Sequence, residues 1–191
     1  MDINWPYFNV TASSGVPAMH AAVIPPSGQV LFLDKVENYS ELLLPNNRYA
    51  YSSIYDPETH SLTPLRVATN PFCCGGSFLA DGRLVTVGGN APLLWLDPTV
   101  QNGFDAIRYL GNNNNGTYDW KEPGNKLASN RWYASAQTLA DGKMFVAAGS
   151  LNGLDPLNSS NNNPTFEILD QNGVSDGENI PMDILVDTMP Y

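Results

Sequence analysis

The sequence predicts an all-β chain, a partial β-propeller in which about three blades are present. Three observations predict it. The 191 residues hold 16 glycines and 15 prolines but only 15 % charged residues, so short apolar runs alternate with turn formers. No window places apolar residues convincingly at helical spacing. One hairpin design also recurs: Phe72 to Asn90 reads as strand, Asp81-Gly82 turn, apolar strand and Gly88-Gly89 stop. Trp132 to Ser150 repeats it around Asp141-Gly142. Units of roughly 40–50 residues, each with four strands, are the signature of propeller blades.

In chain order, residues 1–18 are an irregular lead-in containing Pro6, Gly15 and Pro17. The first unit, 19–71, opens with a hairpin from Met19 to Asp34 whose Ser27-Gly28 stands in for the later Asp-Gly pairs. It continues with an aromatic strand at Tyr49 to Tyr55, a turn at Asp56 to Thr59, and a short strand at Ser61 to Leu65. The second unit, 72–130, adds strands at Asp105 to Leu110 and Tyr118 to Glu122 after its hairpin. The third, 131–191, adds a strand at Pro164 to Asp170 and is expected to be incomplete. The turns lie 54 and 60 residues apart, long for a blade but consistent with extra loops. Leu84 to Val87 and Met144 to Ala148 are apolar on both faces, as blades stacked face to face require. Three units cannot close a ring, so the chain is expected to be the N-terminal part of a larger propeller.

A net charge of −10 argues against a nucleic-acid or anionic-membrane partner, and no apolar run is long enough to span a bilayer. Four Asn-x-Ser/Thr sequons, at Asn9, Asn38, Asn115 and Asn158, point towards an N-glycosylated, secreted protein. The first residues lack the regions of a secretory signal, which is then expected to be missing from this chain. His20 lies one place off the axial register and His60 in a surface-type turn, so both read as structural. Asp81 and Asp141 are accounted for by their turns, and Arg131 and Trp132 by strand packing.

Two positions carry the chemistry. Cys73 lies eight residues before its Asp-Gly turn, and Tyr133 eight before its own; Met19 holds the corresponding place in the first unit. Equivalent positions on successive blades are neighbours around the axis. A thiol against a phenol ring invites oxidative coupling, and the resulting thioether makes the phenol easier to oxidise to a radical. A copper ion nearby would carry a second electron, since imidazole and oxygen ligands suit Cu(II). The two cysteines, Cys73 and Cys74, are adjacent and do not form a disulfide framework.

Phe72-Cys73, the hairpin after it, the run Arg131 to Gln137 and the run Gly149 to Pro156 resemble fungal glyoxal oxidase. More broadly they are similar to the copper radical oxidases that include galactose oxidase, over nearly the whole chain. The resemblance implies a kelch-like, seven-bladed propeller with a copper site near its axis. It implies that Tyr133 is an equatorial copper ligand and radical tyrosine, and that Cys73 is its thioether partner. The family's activity would be oxidation of a small aldehyde by O₂ to a carboxylic acid and H₂O₂. The family's other copper ligands, a tyrosine beside a histidine and a later histidine, come from a C-terminal part that this chain lacks, so alone it is expected to be inactive. Cys74 stands where the family commonly has a small residue. Leu151 stands where galactose oxidase stacks a tryptophan on the modified tyrosine, which leans the reading towards glyoxal oxidase. The alternative is a non-catalytic kelch-type binding module, distinguished by lacking the Tyr-His pair.

Overall fold

The structure, a computed structural model, describes residues 8–33, 35–37, 39–112, 116–155 and 157–189. The expectations that touch residues 1–7, Asp34, Asn38, Asn115, Pro156 and Tyr191 lie outside them.

Three four-stranded antiparallel sheets follow one another along the chain. The first is β1 (His20–Val23), β2 (Val30–Leu33), β3 (Ser52–Tyr55) and β4 (Leu62–Leu65), paired in sequence order. The second is β5 (Gly75–Phe78), β6 (Leu84–Val87), β7 (Ile107–Asn112) and β8 (Tyr118–Lys121). The third is β9 (Ser135–Thr138), β10 (Met144–Ala147), β11 (Thr165–Leu169) and the two-residue β12 (Ile180–Pro181). One helical turn, α1 (Ile184–Asp187), follows. This is the all-β partial propeller that the repeats predict. The third sheet has a fourth strand that the sequence pattern does not reveal, because two residues show no alternation.

The Asp-Gly turns close as expected. Leu79 N–H donates to Arg83 O across one (2.9 Å) and Leu139 N–H to Lys143 O across the other (2.8 Å). Asp81 and Asp141 each accept from the backbone two residues on. In the first sheet the matching closure joins Ile24 N–H to Gln29 O, so this turn contains one more residue. The register therefore shifts. Counted from the turn closure, Ala18 corresponds to Cys73 and Tyr133, Met19 corresponds to Cys74, and His20 lies within the strand.

The central strands are buried on both faces, with period-two alternation directing side chains to opposite neighbours. Leu84 joins a cluster with Leu31, Leu33, Ile54, Leu65 and Trp120 between the first two sheets. Val85 and Val87 join Ile107, Met144, Val146 and Leu169 between the second and third. Polar ties register the stack: Trp120 Nε1 donates to Ser52 Oγ (3.0 Å), and Tyr109 OH to Gly173 O (2.7 Å).

Asp97 fastens the segment 39–51 of the first sheet to the loop 88–106 of the second. Its carboxylate, 4 % exposed, accepts from Arg48 Nη1 (2.7 Å), Tyr51 OH (3.3 Å), Thr99 N (3.0 Å) and Thr99 Oγ1 (2.6 Å). Burial pushes the Asp97 pKa up, but the Thr99 hydrogen bonds and the Arg48 charge outweigh it, and the pKa lies below the ordinary value. A carboxylate with a depressed folded pKa stabilises the fold above its unfolded pKa of about 3.9, and this stabilisation disappears as pH falls through the lower folded value. The urea midpoint should therefore fall on acidification below about pH 4, and Asp97→Asn should be less stable at pH 7 but nearly equal to wild type at the acid end. A gap between the two proteins that does not narrow with acid would contradict this.

Candidate copper and radical site

Cys73 and Tyr133 each immediately precede the run into an inner strand, two residues before β5 and β9 respectively. Both adopt the left-handed backbone conformation, with φ of 55° and 66°. For a cysteine and a tyrosine that conformation costs about 1–3 kcal/mol each, so the surroundings must impose it. The two turns touch: Tyr133 N–H donates to Cys73 O at 3.0 Å.

Two glycines permit that approach. A Cβ on Gly75 would lie 2.5 Å from Ala134 O, and one on Gly88 would collide with Arg131 O. The segment 131–134 therefore presses against the second sheet where no side chain intervenes.

Two buried arginines hold the turns from behind. Arg131, fully buried, donates through Nε to Glu167 Oε1 (2.9 Å), through Nη1 to Ala148 O (3.0 Å) and Thr165 O (2.9 Å), and through Nη2 to Thr165 Oγ1 (2.9 Å) and Asn179 Oδ1 (3.0 Å). In the second sheet Arg108, on β7, donates to Thr69 Oγ1 (2.7 Å), Gly88 O (2.7 Å) and Asn70 O (3.1 Å). Arg108 pairs with Thr86 and Glu167 with Val146, each five residues past the turn aspartate, so the two occupy the same register. The third sheet has a carboxylate there and draws its arginine from the residues before the inner strand. Burial lowers both guanidinium pKa values, and the Glu167 hydrogen bond and charge oppose this at Arg131.

Tyr133 is 40 % exposed, while Cys73 is buried with Trp132 and Phe104. The Trp132 ring stacks on Tyr133, with centroids 5.0 Å apart and planes at 24°. Phe72 and Phe104 pack against Trp132 at 5.7 and 6.5 Å. Cys74 points elsewhere, into the cluster between the first two sheets, and burial raises its pKa against the charge of Arg108. Both cysteines are free thiols.

Neither Arg131 nor Trp132 is simple strand packing. Consecutive residues of a strand face opposite ways, so the sequence does not suggest that Trp132 covers its own neighbour. The left-handed turn at Tyr133 breaks that alternation. Leu151 has no ring to stack; the ring that stacks on Tyr133 is that of Trp132. His20 is half-buried with its Nε2 unpartnered among the described residues, its pKa lowered by burial and by Arg108. His60 sits in an exposed turn at φ 57° and meets Tyr55 OH through Nδ1. Neither is brought to Tyr133. Among the described residues no group of three or more His, Cys, Asp or Glu side chains could hold a metal ion.

Arg131→Met should leave Glu167 buried and unpaired and cost about 3–5 kcal/mol. The double variant R131M/E167L should recover much of that in urea unfolding. Equal losses in the single and double variants would show that the pair is not the support described.

The family model for the glyoxal oxidase N-terminus matches residues 12–181. The chain is 31 % identical over 165 residues to "Aldehyde oxidase GLOX1" of Arabidopsis thaliana, covering 78 % of this chain and 25 % of the relative. It is 30 % identical over 157 residues to "Aldehyde oxidase GLOX" of Vitis pseudoreticulata, covering 73 % of this chain and 28 % of that one. It thus spans about a quarter of the length of these curated relatives. Its fold is also that of a solved fungal alcohol oxidase of the AA5 family in complex with copper, with a TM-score of 0.54 at 21 % identity over 82 % of this chain and 29 % of the other. The repeated hairpins, the paired turns and the family match over residues 12–181 make this chain a member of the glyoxal oxidase family, corresponding to its N-terminal region.

Proposed function

We propose that residues 1–191 form the radical-bearing part of a secreted copper radical oxidase that converts small aldehydes to carboxylic acids. The observation that carries this reading is the pairing of the Cys73 and Tyr133 turns, equivalent in register, alike in left-handed backbone and joined by one hydrogen bond. The aldehyde, O₂ and water would give the acid and H₂O₂, a two-electron oxidation. When bound, copper supplies one of the two one-electron acceptors. Tyr133 supplies the other and offers its phenol oxygen as a ligand from a side chain still 40 % exposed.

Cys73 would couple to the Tyr133 ring. The S–H and one ring C–H each lose hydrogen, a C–S bond forms, and O₂ takes up two electrons and two protons as H₂O₂. The burial of the Cys74 thiol among aliphatic side chains supports Cys73 as the partner. Trp132 would shield one face of the modified ring from water and disperse charge as it loses an electron. Arg131 would act on the site only through position, holding the turn. The remaining copper ligands would lie outside residues 1–191, so this chain alone would not turn over.

Exposed Asn9 and Asn158 fit N-glycosylation and secretion, and no helix among the described residues is long and apolar enough to cross a membrane. The test is made on residues 1–191 within a chain as long as the relatives, loaded with copper in air. Peptide mass spectrometry should find the Cys73 and Tyr133 peptides joined with the loss of two hydrogens. Cys73→Ala and Tyr133→Phe should abolish the join, while Cys74→Ala retains it. Separate, unmodified peptides in the copper-loaded protein would overturn the proposal.

A further inference from the structure

The inner strands of the first two sheets do not meet as those of the second and third do. Between the second and third, β5 and β9 abut: Gly75 leaves no room for a Cβ against Ala134 O, and Ser77 Oγ and Thr138 Oγ1 share a hydrogen bond of 2.9 Å. Among the described residues no hydrogen bond joins β1 to β5, and a cavity of about 340 Å³ lies there instead. Two small residues open it, Ala22 on β1 and Gly76 on β5. A Cβ on Gly76 would lie 3.2 Å from Thr86 Cγ2, so this glycine shares its face of the sheet with Thr86 and leaves that face bare. A cavity of that volume suits a small organic molecule.

The cavity has two unlike ends. Strand pairing sets Thr86 opposite Gly76 and Leu84 opposite Phe78, while Leu31 lies opposite Ala22. One end therefore holds His20, Cys74 and Thr86, and the other Leu31, Phe78 and Leu84. At the first end His20 Nε2 and Thr86 Oγ1 are buried without a hydrogen-bond partner among the described residues, and Thr86 is only 5 % exposed. A buried polar atom left unpaired costs about 1–3 kcal/mol, so two of them in residues lining one cavity mark a place for a partner from outside the chain. That partner is uncharged. No carboxylate or amine lines the cavity, and burial together with Arg108 lowers the His20 pKa, so the imidazole is neutral at pH 7. Arg108 itself commits its donors to Thr69, Gly88 and Asn70. A molecule with a hydrogen-bonding head and an apolar tail matches both ends.

We infer that the space between the first two sheets binds a small uncharged amphiphile, with its head between His20 and Thr86 and its alkyl tail among Leu31, Phe78 and Leu84. The site is separate from the paired turns and needs neither copper nor the thioether. Titration of n-hexanol into the metal-free protein, followed by proton–nitrogen NMR, should give saturable shifts at the amides of β1, β5 and β6. The matching terminal diol, which must bury a second hydroxyl at the apolar end, should bind about 5-fold more weakly or worse. His20→Ala should weaken hexanol about 3-fold or more by removing one partner of the head. Ala22→Leu, which fills the cavity between its ends, should weaken it about 10-fold. His20 and Ala22 are both only partly buried, so both variants should keep a folded NMR spectrum. No saturable binding by the folded wild-type protein would overturn the proposal. So would equal affinity for the diol, or unchanged affinity in either folded variant.

Discussion

Arg131 is the residue on which the site's geometry depends. It is fully buried, as is its partner Glu167, and it makes five hydrogen bonds to the third sheet immediately before the chain turns into Tyr133. A buried ion pair is rarely a net source of stability, because desolvation opposes the Coulomb attraction. Its effect here is directional: five donors in a rigid fork fix one backbone path, which a hydrophobic residue could not do. Arg108 does the same for the turn ahead of Cys73 by clamping the carbonyls of Asn70 and Gly88.

Those clamps explain how two residues with side chains can sit at positive φ. The left-handed turns at Cys73 and Tyr133 are disfavoured locally, and they persist because the arginine clamps and the close approach at Gly75 and Gly88 leave no relaxed alternative. The consequence is chemical. The turn at Tyr133 swings its ring onto Trp132 and out towards solvent, while the cysteine of the neighbouring turn stays buried beside it. The equivalent place in the first sheet holds Ala18, with no thiol, no phenol and no left-handed turn among its described residues.

Much of the fold was legible because Asp-Gly turns and doubly apolar strands are local signals. Asp81-Gly82 and Asp141-Gly142 fold as their chemistry demands, and Leu84 to Val87 divides its side chains between two cores. The spacing from Ser27-Gly28 puts Met19 one residue out of register, because the turn Pro25-Pro26-Ser27-Gly28 is one residue longer than the Asp-Gly turns and only its closing hydrogen bond reveals this. The strand Ile180–Pro181 is too short to pattern. Within the site, the equivalence of Cys73 and Tyr133 could be counted from the turns. The stacking of Trp132 and the bonding of Arg131 could not, because both depend on a backbone conformation that neither residue type signals.

The central claim is that the turn carrying Tyr133 is set against Cys73 by the protein alone, before any metal binds. Native-state hydrogen exchange on the metal-free chain tests it at one amide, that of Tyr133, whose proton is bonded to Cys73 O. The account predicts that this amide exchanges as slowly as those of β6 and β10, and that Arg131→Met accelerates it before it affects the strand amides of β6. Exchange of the wild-type Tyr133 amide as fast as that of Ser27 in the exposed first turn would contradict it, and would mean that the pairing forms only when the metal arrives.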